Sequence, residues 1–220
     1  MEVSDGRVMR RALWVALYAI AMAAVESAVV VYLRALHGRA EPLSVLLHEI
    51  PDRLVAIEVG REVATLVMLV AVAALAARNV WERLLYLALA FGVWDIFYYV
   101  WLWVFIGWPP SLLTWDVLFL IPVPWLGPVI APMIVSLCLV GGSLWLLSRS
   151  ILRLSRRAWV LASVGAVLVL LSFTIDYHYA LVRTDPPRFR WEMFWAGIVV
   201  GVVGVVWASR FSRPINLASK

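Results

Sequence analysis

Long apolar stretches, broken by short basic or proline-bearing connections, set the pattern of this chain. Six of them, at residues 12–33, 54–77, 84–106, 128–147, 158–175 and 191–209, are each near the ~20 residues a helix needs to cross a hydrocarbon core of about 30 Å. The pattern predicts an all-α fold, a polytopic bundle of six transmembrane helices forming one domain over residues 1–220.

Two connections break the simple alternation. Between the first two spans, Leu43, Leu46, Leu47, Ile50 and Leu54 recur at helical spacing, with Ser44, His48 and Asp52 on another face. That predicts a short helix lying in the outer interface, ended by Pro51. Residues 107–132 carry six of the eleven prolines among almost wholly apolar neighbours. Proline removes amide donors and forbids a continuous helix, yet the stretch is too apolar for water. It is expected to be re-entrant or interfacial on the outer side, with Asp116 carried on it.

Charge sorts by side. The amino terminus, the Arg78/Arg83 loop, the loop from Arg149 to Arg157 and the tail hold twelve Lys and Arg, against six in the opposite connections. The excess places both termini in the cytoplasm of a multi-pass protein in a plasma or inner membrane. Eleven of the fourteen acids fall in spans or on the outer face, an asymmetry that insertion rules do not produce, because acids count little in topology. The first span also has a competing reading as a cleaved signal peptide, since Arg7, Arg10 and Arg11 precede an apolar run and Ala21-Met22-Ala23.

Composition agrees with the pattern. Hydrophobic residues make up 64% and charged residues 15%, and the mean hydropathy is +0.92, far from a soluble domain, where about 25% of residues are charged. The net charge of +5 does not point to nucleic acid, because no basic face with stacking aromatics exists outside the spans. The lone Cys138 excludes an internal disulfide and any Cys-ligated cluster, and no span carries the Lys that a retinal Schiff base would need.

What asks for explanation is charge inside the spans. Glu58, Arg61, Glu62 and Thr65 form one helical stripe. Asp95, Tyr98 and Tyr99 form another, and Glu26 stands on the first span. Each such charge at a helix centre costs roughly 2.5–3.5 kcal/mol on insertion scales. One Arg cannot neutralise four carboxylates, so Glu26, Glu58, Arg61, Glu62, Asp95, Tyr98, Tyr99 and Asp116 form the candidate ligand-binding set. The leading expectation is an outward-facing carboxylate cluster that binds or conducts a cation or proton, with a metal cation as one cofactor and His178 as a further metal ligand. The second is a membrane-embedded enzyme acting on a lipid or quinone at the outer leaflet. The third is a structural or assembly subunit with a membrane-protein partner. No hydrolase elbow, zinc-protease motif or phosphate loop is present to name a reaction.

Overall fold

A computed structural model of the chain describes residues 2–37, 52–149, 155–181 and 188–211. The expected interfacial helix at residues 43–54, with His48, lies almost entirely outside them. Six long helices carry the architecture: α1 Glu2–His37, α2 Asp52–Ala76, α3 Val80–Ile106, α4 Ile130–Ser148, α5 Arg156–Thr174 and, after the four-residue α6 His178–Leu181, α7 Trp191–Phe211. Five of these are long and apolar enough to cross a membrane, while the apolar helix Trp191–Trp207 is shorter.

Local chemistry sets the helix ends. Asn79 accepts from the Glu82 amide at 2.9 Å, and the Glu82 carboxylate accepts from the Arg78 amide. This reciprocal cap starts α3 after a turn of only three residues, so α2 and α3 run antiparallel. Gly107, at φ +66°, ends α3 with its amide on the Trp103 carbonyl, a left-handed position that glycine adopts without a Cβ penalty. The helix expected from residue 128 begins instead at Ile130. Pro132 is accommodated in its first turn, where an amide has no intrahelical partner anyway.

The proline-rich segment departs from an all-helical picture. It folds as an antiparallel hairpin of β1 Trp115–Phe119 and β2 Trp125–Pro128, pairing Asp116 with Gly127 and Phe119 with Trp125. Pro122 and Pro124 fall in the turn, where no ladder donor is required. Beyond the strands, Val129 donates to the Thr114 carbonyl and Ile130 to Leu112, so the hairpin's backbone is largely satisfied within itself.

Helices α1 to α4 form one body. Ala12, Val15, Ala19, Met22 and Ala23 make a buried, alanine-rich stripe on α1 that packs with Leu85, Tyr86, Leu89 and Val93 of α3. Interhelical hydrogen bonds add to this close packing. The Trp101 indole donates to the Ile20 carbonyl at 3.1 Å, and the Ser27 hydroxyl to the Tyr98 carbonyl at 2.9 Å. A Cβ on Gly92 would lie 2.7 Å from the Ser136 carbonyl, so α3 and α4 approach at backbone distance.

Helices α5 and α7 form the second body. Gly165, Gly197 and Gly204 leave no room for a Cβ; one at Gly165 would stand 2.5 Å from the Gly201 nitrogen. The glycine seam of α7 is thus an intramolecular contact. This pair meets the four-helix body mainly through β2 and a sparse contact of α7 with α4, with Trp125 of the hairpin stacked on Phe173 of α5.

Candidate functional site

The carboxylates gather near the hairpin end of the bundle, but they divide into separate partnerships. Glu26 on α1 is buried and takes a hydrogen bond from Thr65 and an ion pair from Arg61, both on α2. Arg61 also reaches Glu58, Nε to Oε2 at 2.8 Å. One guanidinium therefore serves two carboxylates, and the Thr65 hydroxyl adds a donor. Such a network locks α1 to α2 and saturates most of its own acceptors.

Glu62, one turn further along α2, does something else. Both of its oxygens accept from the Leu120 amide, at 3.1 and 3.0 Å. Leu120 follows β1, where the hairpin turn leaves its amide without a ladder partner, and a donor left bare away from water costs free energy. Glu62 satisfies it and pins the hairpin to α2. On the other side, Tyr99 of α3 donates to Asp116 of β1 at 3.1 Å. Burial pushes the Asp116 carboxyl up to about 6, against the opposing pull of Arg34 and the Tyr99 hydroxyl. Arg34 itself lies over the Trp108 ring, 4.1 Å from its centre. Tyr98 packs edge-on to Tyr99 and against Trp94.

Asp95 stands apart. It is buried on α3 and accepts from the Ser136 hydroxyl of α4 at 2.8 Å. It belongs to no ion pair among the described residues. Unlike Glu26 and Glu62 it borders a cavity, of about 610 Å³, between α4 and the α5/α7 pair. Along α4 the lining runs from Pro132 to Trp145, thirteen residue steps or roughly 20 Å at 1.5 Å per residue. The slot is therefore elongated along the helices. Its walls are apolar, with aromatic rings of Phe91, Phe119, Trp125 and Phe173 near the hairpin and glycines 141, 142 and 201 further along. No Lys, Arg or His lines it. Lining residues Leu170, Val202 and Val206 are themselves partly exposed on the bundle's flank, so the slot opens sideways between helices.

The arrangement brings Glu26, Glu58 and Arg61 together, and it sets Glu62, Asp95 and Asp116 in three different contacts. No three His, Cys, Asp or Glu side chains among the described residues form a group able to hold a metal. His178 packs on the ring of Tyr179, centroids 4.2 Å apart, and edge-on to Tyr177. Asp176 instead takes a two-pronged contact from Arg190, at 2.8 and 3.0 Å.

Two features escaped the sequence reading. Ser136 is one serine in a strongly apolar helix; the signal for it is Gly92, whose missing side chain lets α4 come close enough to reach Asp95 three residues later. The cavity also left a trace, in the small residues Gly141 and Gly142 on α4 and Ala162, Gly165 and Ala166 on α5 that face one void. No family model, curated protein or solved structure matches this chain.

Proposed function

We propose that this chain is a six-span protein of a plasma or inner membrane that holds the hydrocarbon chain of a lipid-class molecule in the slot between α4 and the α5/α7 pair. In this reading α7 is the sixth span, both termini lie in the cytoplasm, and the hairpin sits at the outer end. Support for the orientation is the arginine excess at the amino terminus and in the Arg78/Arg83 turn.

The observation that carries the ligand class is the slot itself. Its volume of about 610 Å³ lies within the range of small-molecule sites, about 300–1,000 Å³. Spread over roughly 20 Å of length, that leaves a section of about 30 Å², the girth of one or two extended chains whose carbons touch neighbours at about 4 Å. An apolar wall open to the flank admits such a chain from the bilayer and offers a hydrated solute nothing. A shared cation fits less well, because each carboxylate already has its own protein donor. Catalysis lacks a second titratable group beside Asp95 in the slot's lining, Cys138 apart.

The test is native mass spectrometry of the purified protein, released from lipid nanodiscs. A Cβ on Gly142 meets no atom within 4 Å, so Gly142→Leu should fold normally while filling the slot; Ala166→Leu does the same from the opposite wall. Wild type is expected to retain a co-purified lipid-class adduct that both variants lose. Equal retention in all three, or none in wild type, would overturn the reading.

A further inference from the structure

Resting on the reading of the slot as a chain-binding site, we infer that it selects a molecule with one long chain and an uncharged oxygen head, hydroxyl or carbonyl, held by Asp95 and Ser136. The polar pair is not central. Ser136 is one turn from Pro132 at the hairpin end of the α4 lining, and nine residue steps, roughly 14 Å, separate it from Trp145 at the other. A ligand with its head at Asp95 therefore lays its chain past Gly142 toward Trp145 and Val205.

The head's chemistry follows from what surrounds Asp95. The Ser136 hydroxyl satisfies one carboxyl oxygen, and the nearby lining is aromatic or aliphatic. Phosphate or carboxylate heads would meet an acid with no cation among the lining residues to receive them. An ammonium head would have to pass the apolar flank opening and shed its water on the way, a cost of several kcal/mol that one surface-distant carboxyl does not recover. A hydroxyl or carbonyl passes at far lower cost. Inside, a hydroxyl can donate to the Asp95 oxygen that Ser136 leaves free, and a carbonyl can accept from the Asp95 carboxyl when it carries its proton, in surroundings where leaving a polar head unpaired is unfavourable. Leu118, Phe119 and Trp125 of the hairpin line the slot beyond the pair, which leaves little room there for a bulky head.

Binding of five defined probes to the full-length protein in nanodiscs tests this: hexadecane, hexadecanol, hexadecanal, hexadecanoate and hexadecylamine. Hexadecanol and hexadecanal are expected to bind about tenfold tighter than hexadecane, the effect of one net hydrogen bond of about 1.4 kcal/mol. The two charged probes should bind no better than hexadecane. Asp95→Leu should remove the preference for alcohol over alkane, and Asp95→Asn should restore part of it. Equal affinity for alkane and alcohol in wild type, a preference for a charged head, or a preference that survives Asp95→Leu would overturn the head assignment while hexadecane binding stands. Loss of hexadecane binding from wild type, or its persistence at full strength in Gly142→Leu, would remove the chain site itself.

Discussion

Two polar regions a few turns apart meet the same apolar surroundings in opposite ways. Around Arg61, two carboxylates, a guanidinium and the Thr65 hydroxyl close on one another. Around Asp95, a single carboxyl and a single serine border an open slot. The first region resolves the cost of buried charge internally and holds α1 to α2. The second leaves a polar handle on the wall of a space that α5 and α7 do not fill. Number of charged groups is thus a poor guide to a site; what distinguishes Asp95 is the volume beside it.

The largest expected effect breaks the closed region. Arg61→Leu strands Glu26 in the protein interior, and removing one partner of such a pair costs about 3–5 kcal/mol. Reversible unfolding in mixed micelles should report that loss, whereas Asp95→Leu, which removes a carboxyl with no ion pair and leaves only the Ser136 hydroxyl without its acceptor, should cost less, about 1–2 kcal/mol. Similar losses from both substitutions would erase the distinction between the regions.

A smaller effect sharpens the comparison at the hairpin. Asp116 is buried against a neutral donor, Tyr99, and its carboxyl stands at about 6 in the fold. Because the folded value lies above the unfolded one, the protonated form favours the fold. Its contribution is complete below about pH 4 and is lost as the pH rises through 6, a change of about 3 kcal/mol in all. Unfolding measured across that window should show stability falling with pH in wild type and a flatter profile in Asp116→Asn. An unchanged slope in the variant would place the titration elsewhere.

Much of the architecture could be read from the chain before the structure, because apolar runs of membrane length have few alternatives. The stripe of Glu58, Arg61 and Glu62 was legible as one helix face, although its members serve two different jobs. The hairpin was not legible. Strands Trp115–Phe119 and Trp125–Pro128 contact protein on both faces, so they lack the polar alternation that would mark them, and their prolines read as breaks. Glu62 could not be assigned to the Leu120 amide for the same reason: its partner is backbone, set by the turn rather than by residue type. The slot was hidden because a void belongs to no residue. It arises where α5 and α7 are drawn together at Gly165 and Gly197, away from α4.

Photolabelling with a long-chain alcohol carrying a diazirine midway along the chain addresses the central claim most directly. In the reconstituted wild-type protein, labelled residues should concentrate on the slot walls between Val135 and Trp145 of α4 and on the facing sides of α5 and α7, and unlabelled hexadecanol should compete the signal away. Label spread instead over outward residues such as Trp14 and Leu75, which are 65% and 88% exposed, and insensitive to competitor, would contradict a chain-binding slot.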